Sequence, residues 1–223
     1  MRFDISGEIA QRARLEFEPG EFVWASKGSI VAYTPGLNWR LRVPGGLEGA
    51  FRRSLAGEGV SLTYLETQES GQVALLAANM PGKIQTWDLQ TDGPVIATRG
   101  SFLAAWGEAV EINVTIARRA GAAFFGGAGL FLQRISGVGT VLIHGSGDFE
   151  ERRLDNEEVI LVSTGNLAAF ADSVDYNIRG VGGCVKVMFG GEGLFMTRLT
   201  GPGRVLLQTL KRKSAHANQG GGG

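Results

Sequence analysis

The chain has 223 residues, with 22 basic and 22 acidic side chains and therefore no formal net charge. A neutral chain lacks the overall positive field with which nonspecific nucleic-acid-binding proteins neutralise phosphates, so its charge does not favour a nucleic-acid partner. The single cysteine, Cys184, excludes an internal disulfide and any multi-cysteine metal site. Thirty-five glycines beside many Val, Leu, Ile and Phe residues predict an all-β protein of short strands and tight turns.

The N-terminal residues carry acidic side chains, Asp4 and Glu8, where a secretory signal would need an apolar stretch. No part of the sequence approaches the ~18 consecutive apolar residues that indicate a membrane span. We therefore predict no transmembrane segment and expect a cytoplasmic location.

A short apolar pattern with a central glycine occurs three times along the chain. Residues 23–32 are similar to residues 95–104, and residues 160–169 are the third copy. In each copy an apolar run leads to a glycine, and a second apolar run follows. Because glycine adopts positive φ without steric cost, the pattern predicts a strand, a turn and a return strand. The predicted turn glycines are Gly28, Gly100 and Gly165.

A second pattern follows each copy of the first. Residues 126–143 and 190–207 align without a gap, with ten of eighteen positions identical, and residues 46–63 form a fainter third copy. Each copy predicts a strand, a Gly-x-Gly turn and a second strand. The turn glycines predicted here are Gly57, Gly59, Gly137, Gly139, Gly201 and Gly203.

Two patterns that recur in the same order predict a pseudo-threefold internal repeat, in which each module is a pair of β-hairpins. The modules are placed at residues 1–66, 67–143 and 144–210, followed by a flexible tail at residues 211–223. A module of this size is too small to be stable alone, so the three are expected to share cores and to pack as one globular unit.

Histidine is scarce, which limits the chemistry that the chain can support. The two histidines are His144 and His216, and the second lies in the predicted tail. Metal enzymes on compact β-barrel folds use two or three histidines with a carboxylate, so neither a metal nor another cofactor is predicted. A hydrolase would need His144 with Ser146 and Asp148, whereas a solvated turn after a strand is the favoured interpretation. The protein is predicted not to be an enzyme, and no catalytic residue is assigned.

Pairs of adjacent arginines recur along the chain. If they are spread around a ring they could follow a phosphate backbone, which makes Arg118 and Arg119 the candidate contacts for an anion or RNA. Neighbouring carboxylates favour solvated turns for these pairs instead. Tryptophans could stack on bases, but Trp24 lies in a repeated strand pattern, which favours the core or a subunit interface.

The segment 189–209 contains Gly-Gly-Glu-Gly-Leu-Phe-Met-Thr and then Gly-Pro-Gly, and it resembles the altered-inheritance-of-mitochondria family, also called tryptophan-RNA-binding-attenuator-like. The resemblance extends over about residues 1–210. It implies a threefold repeat of small double-stranded β-helix or β-sandwich units, similar to the subunits of the attenuation protein's ring. It also implies a homo-oligomeric ring, with a trimer favoured, and no agreed enzymatic activity. Residues 57–63 depart from the family's pattern in the first repeat.

The leading hypothesis is a non-enzymatic oligomeric β scaffold or interaction protein with an unknown protein partner, because repeated strands leave edges that another chain can cover. The alternative is an RNA- or small-ligand-binding module, by analogy with the tryptophan attenuation protein.

Overall fold

The computed structural model describes residues 1–44, 61–117, 130–180 and 195–212. Within these ranges the chain forms nineteen strands and one short 3-10 turn, Thr164–Asn166, which confirms the predicted all-β class. The strands are β1 (Arg2–Ser6), β2 (Arg12–Phe17), β3 (Phe22–Ala25), β4 (Ile30–Tyr33), β5 (Asn38–Arg42), β6 (Leu62–Glu66), β7 (Gln72–Ala77), β8 (Gly82–Asp88), β9 (Val95–Thr98), β10 (Phe102–Trp106), β11 (Glu111–Ala117), β12 (Leu130–Ser136), β13 (Thr140–Ser146), β14 (Phe149–Leu154), β15 (Val159–Ser163), β16 (Leu167–Ala171), β17 (Asp175–Gly180), β18 (Phe195–Thr200) and β19 (Gly203–Gln208). In these ranges no helix has the length and hydropathy needed to span a bilayer.

The strands belong to four sheets whose strand pairings are antiparallel. Sheet A has the order β1-β2-β7-β4, and sheet B has the order β5-β6-β3-β10-β13-β8. Sheet C has the order β11-β12-β9-β16-β19-β14, and sheet D has the order β15-β18-β17. Most sheet neighbours are therefore distant in sequence, and long-range pairing defines the architecture.

Strand β2 shows how the sequence encodes a half-buried strand. Ala13, Leu15 and Phe17 are fully buried, while Arg14 and Glu16 lie on the other face and form an ion pair. Successive side chains of a strand point to opposite faces, so this alternation buries one side of sheet A. Strands β10 and β16 are instead buried along their whole length, because both have strand neighbours on either side and both of their faces are covered.

Two apolar clusters lie between the sheets. One contains Leu15 of sheet A and Leu65 of sheet B, so it joins these two layers. The other contains Trp87 of sheet B, Phe170 of sheet C and Leu199 of sheet D. Buried apolar residues therefore pack between sheets A and B, and in a second cluster among sheets B, C and D.

The hairpins predicted at the repeated glycines within the described residues are wrong, because each of those turns connects strands of different sheets. Strand β3 lies in sheet B and β4 in sheet A, while β12 lies in sheet C and β13 in sheet B. The turns are corners at which the chain passes from one layer to the next. The strands that are neighbours both in sequence and in a sheet are β1–β2, β5–β6, β11–β12 and β17–β18.

Glycine is required at the corner between β12 and β13. Gly137 has a φ of 105°, and a Cβ built on it would lie 1.7 Å from the carbonyl oxygen of Ala109. An L side chain would therefore meet both backbone strain and a steric clash. Other predicted turn glycines also have positive φ: Gly28, Gly100, Gly139 and Gly203.

The remaining predicted turn glycines differ from this group. Gly165 lies in the 3-10 turn, and Gly201 precedes Pro202 in a cis peptide; neither has positive φ. Gly57 and Gly59 lie outside the described residues.

Candidate functional site

His144 lies within strand β13 and is 1% exposed, so the solvated turn predicted for it is wrong. The strand continues to Ser146 because residues 140–146 pair along the whole of β8. Nη2 of Arg212 donates to Nδ1 of His144 at 2.8 Å and to its carbonyl oxygen at 2.9 Å. Burial, with the nearby charge of Arg212, lowers the pKa of His144 to about 4, so the ring is neutral at pH 7.

Arg212 fills the space beside His144 and uses all of its guanidinium donors. Nε donates to Oγ of Ser146 at 3.1 Å, and Nη1 donates to the Arg99 carbonyl at 3.1 Å and to Oγ of Ser101 at 2.6 Å. Each of these acceptors is neutral. Burial lowers the pKa of Arg212 to about 10, which leaves the guanidinium charged at pH 7.

The cluster around Arg212 does not have the geometry of a catalytic site in which a base activates the Ser146 hydroxyl. Ser146 and His144 are two residues apart on one strand, and both are hydrogen-bonded to the guanidinium of Arg212. The backbone of Asp148 donates to the Thr209 hydroxyl, outside this cluster. A nucleophile needs a base within hydrogen-bonding distance and an approach for the substrate. The geometry instead anchors the C-terminal segment to β13.

A second charged cluster, which the sequence did not indicate, joins sheets B and C. Arg204 of β19 is almost fully buried and makes paired hydrogen bonds to Glu151 at 3.0 and 2.9 Å. It also donates to Asp92 at 2.8 Å and to the Thr86 carbonyl at 3.2 Å, and its Cζ lies 4.7 Å from the centroid of the Trp87 ring. Because its charge is matched by two carboxylates, Arg204 holds the layers together.

Aromatic and guanidinium groups meet on the outer part of sheet B. Tyr64 stacks against Phe22 at 5.4 Å and meets Trp24 edge-on at 4.8 Å between ring centroids. Arg42 lies 4.5 Å and Arg40 lies 5.6 Å from the centroid of Tyr64. We call these five residues the aromatic–arginine surface. The candidate contacts Arg118 and Arg119 lie outside the described residues.

Two edge strands, β4 and β15, carry exposed apolar side chains. Among the described strands, β4 pairs with β7 alone and β15 pairs with β18 alone. Val31 is 61% exposed, Tyr33 45% and Leu161 65%, whereas β10 and β16 are buried throughout. An apolar edge with unpaired backbone groups is a site at which another strand adds.

No group of three or more His, Cys, Asp or Glu side chains within residues 1–44, 61–117, 130–180 and 195–212 is arranged to hold a metal ion.

Comparison with known proteins gives the family. An uncharacterized protein of Streptococcus pyogenes serotype M6 is 30% identical over 220 residues, which cover 94% of this chain and 86% of that protein. The X-ray crystal structure of a Streptococcus pyogenes protein has a TM-score of 0.76 and 25% identity to this chain, and the match covers 94% of each chain. The family model described as "Mitochondrial biogenesis AIM24" matches residues 3–210. The chain therefore belongs to the AIM24 family, which confirms the resemblance found in its sequence.

Proposed function

We propose that the protein is a non-enzymatic, homo-oligomeric β scaffold built from one six-stranded unit that occurs three times. The units are β2–β7, β8–β13 and β14–β19. In each unit the first and third strands pair with the sixth, while the second and fourth strands pair with the fifth. Each unit thus contributes two three-stranded half-sheets, which is the arrangement of a small double-stranded β-helix.

A matching irregularity supports this repeat. The third strand of every unit has a register shift at one place: between Ile30 and Ala32, between Phe102 and Ala104, and between Leu167 and Ala169. A β-bulge re-aims a strand, so its occurrence at one position of each unit indicates a common local design.

The strand pairings favour unit boundaries that differ from those predicted from sequence. The predicted boundary between residues 143 and 144 falls inside β13, which pairs continuously with β8. In the first unit, β6 and β7 have the pairing roles of β12 and β13, so residues 62–77 take the place assigned to residues 46–63. In sequence Gly57 and Gly59 match the Gly-x-Gly pattern, and this match places the first copy at residues 46–63.

The main support for the oligomer proposal is that sheets B and C are each assembled from half-sheets of two neighbouring units. Sheet B joins half-sheet β5-β6-β3 of the first unit to half-sheet β10-β13-β8 of the second, and sheet C joins the second unit to the third in the same way. At the two ends of the array, β15-β18-β17 and β4-β7-β2 have no complementary half-sheet in the described chain. Apolar edges of this kind are covered in oligomers of identical chains.

Native mass spectrometry and light scattering on the purified full chain test the proposal. We expect an oligomer at micromolar concentration, with a trimer as the size that the family resemblance favours. A monomer that persists at about 100 µM protein and at low and high salt would contradict a homo-oligomeric scaffold.

The non-enzymatic part of the proposal is supported by the state of the lone histidine in the described chain. His144 is buried, neutral at pH 7 and bonded to Arg212. A hydrolase that used it would first have to displace that guanidinium.

A second candidate function, binding of single-stranded RNA, is favoured by the aromatic–arginine surface. Rings on which bases stack, flanked by guanidinium groups, are the features of single-strand binding sites. We expect fluorescence anisotropy to show weak, salt-dependent binding of single-stranded RNA. Binding should be lost in the Arg40→Ala, Arg42→Ala double variant. It should be kept in the control Arg2→Ala, because the Arg2 side chain is 77% exposed on a different sheet, sheet A. The pair Arg118→Ala, Arg119→Ala tests the sequence-based candidates. An absence of binding at low salt would remove this function.

A further inference from the structure

We propose that strand β15 of one chain pairs with strand β4 of a second copy, so that chains join head to tail through a seam that repeats the two junctions inside each chain. The inference rests on the proposed homo-oligomer and specifies its contact. Its occupant is a second copy of this chain, because the chain itself supplies both complementary edges.

The two internal junctions define the geometry of such a seam. In sheet B the second strand of unit one, β3, pairs with the third strand of unit two, β10; Ala104 lies opposite Ala25 and Ala105 opposite Trp24. In sheet C the equivalent strands β9 and β16 pair in the same sense, with Ala169 opposite Ala97. A third junction of this type would join β15 to β4.

The register of the seam follows from the strands that already flank each edge. Ala32 lies opposite Leu75 of β7, as Ala104 lies opposite Leu142 of β13. On the other edge, Val162 lies opposite Thr197, as Ala25 lies opposite Thr63. The internal pair Ala104–Ala25 therefore corresponds to Ala32 of one copy opposite Val162 of the other.

Moving one residue along each strand gives the next pair of the seam. The internal pair Ala105–Trp24 corresponds to Tyr33 of one copy opposite Leu161 of the other. Both of these side chains are apolar or aromatic, and both are exposed in the single chain.

A hydroxyl group also recurs at the end of the second strand of each unit. At the first junction the Ser26 hydroxyl donates to the Phe102 carbonyl, and the Ser26 backbone N–H donates to the Leu103 carbonyl at 2.8 Å. At the second junction Oγ1 of Thr98 donates to the carbonyls of Leu167 and Ala168 at 2.8 and 3.0 Å. Ser163 has the equivalent position at the end of β15. In the seam it would donate to the carbonyls of residues 30 and 31 of the second copy.

The exposure of the outer edges shows what the seam would cover. Leu103 is 1% exposed inside sheet B, whereas Val31, its counterpart on β4, is 61% exposed. Ile96 is 9% exposed, whereas Leu161, its counterpart on β15, is 65% exposed. Strand β1 does not block the seam, because it lies beside β2 at the opposite edge of sheet A. The contact joins two different surfaces, so it leads to a ring when the rotation closes and to a filament when it does not.

Two complementary blocking variants test the seam. Tyr33→Lys disables the β4 edge and Leu161→Lys disables the β15 edge, because a lysine that would be buried in a strand pairing weakens association by at least about 30-fold. Each variant alone is expected to be a monomer in native mass spectrometry. A 1:1 mixture is expected to form a dimer and nothing larger, because one intact edge of each type remains. The control Ile9→Lys, at an 80% exposed position away from both edges, should assemble like the unaltered chain.

The outcomes separate the seam from the broader proposal. The seam proposal is overturned if the single blocking variants assemble like the unaltered chain, or if they remain monomers when mixed. In either case the homo-oligomer proposal still stands. A monomeric unaltered chain overturns both. Circular dichroism and thermal unfolding of each variant establish that it is folded before its mass is interpreted.

Cysteine crosslinking tests the register independently. In a Cys184→Ser background, Ala32→Cys combined with Val162→Cys places two thiols on directly opposed residues of different copies, where Cβ atoms are ~5 Å apart. We expect intermolecular disulfides to form at least about ten times faster than with the pair Ala32→Cys, Ile160→Cys, which is displaced by two residues. Equal rates for the two pairs would overturn the register.

Discussion

Lowering the pH from about 7.5 to about 5 is expected to destabilise the fold by about 2 kcal/mol through His144 alone. The pKa of this ring is about 4 in the folded chain, against an ordinary value of 6.5. Between these two values the unfolded chain binds a proton that the folded chain does not, so stability falls as the pH falls. The loss is about 1.4 kcal/mol for each pH unit below 6.5, and it ends near pH 4, where the folded chain is protonated as well.

The physical cause of this loss is the buried site itself. A protonated ring would place a second positive charge beside the guanidinium of Arg212, at a position from which water is excluded. Nδ1 of His144 would also change from an acceptor to a donor and would face the Arg212 donor directly. Protonation therefore removes one of the bonds that anchor the C-terminal segment.

Urea denaturation at a series of pH values measures the effect, with His144→Gln as the matched control. Gln208 lies on β19 at the position that corresponds to His144 on β13, so a glutamine suits this strand position. Its amide oxygen can accept from Arg212 and does not titrate. The unaltered chain should lose about 2 kcal/mol more than the control between about pH 7.5 and about pH 5. Equal slopes for the two proteins would refute the assignment of a neutral, buried imidazole.

Further predictions concern the corners, the core and the buried arginine, all measured by urea denaturation at pH 7.5. Gly137→Ala should destabilise by about 2 kcal/mol or more, because both its φ of 105° and the close approach of the Ala109 carbonyl oppose a side chain. Gly71→Ala, at a φ of 70° and with no atom within 4 Å of the added Cβ, should lose clearly less; equal losses would show that the close approach is unimportant. Phe170→Ala removes a fully buried ring and should cost about 3–5 kcal/mol, and a loss below about 1 kcal/mol would contradict its place in the shared core. Arg204→Met removes the cation that Glu151 and Asp92 share and should cost about 3 kcal/mol, with a large part recovered when Glu151→Gln is added. No recovery would contradict the ion pair.

The all-β class and the places of many turns could be predicted because both depend on local pattern. An apolar run, a glycine and a second apolar run identify two strands and the turn between them, as at Gly100. The same local pattern fits a hairpin and a corner between layers, since it does not specify which strands pair. One of the two partners of β10 is β3, about 80 residues earlier in the chain, and no short-range signal identifies it.

The buried polar sites were missed for a related reason. Arg212 lies in a basic polar segment whose local sequence predicts a flexible tail. Its side-chain hydrogen-bond acceptors are 66 or more residues away in sequence, so no local pattern indicates them. The Gly-Ser-Gly segment after His144 predicts a turn at this position. The structure continues the strand because β8 supplies a partner as far as Ser146. The sequence does contain one signal for the Arg204 ion pair. Arg204 lies in the second strand of a repeated apolar pattern, where an arginine is unusual and requires a counterion when it is buried.

On the proposed three-unit architecture, the sharing of sheets B and C between neighbouring units restricts how such a chain can change in length. A cut within a unit would divide a half-sheet, whereas the loss or gain of one complete six-stranded unit leaves the first and last edges unaltered. On the proposed architecture, a chain lengthened by a copy of residues 82–146 would therefore keep the same two ends as the natural protein, and variation among relatives is expected in whole multiples of this segment.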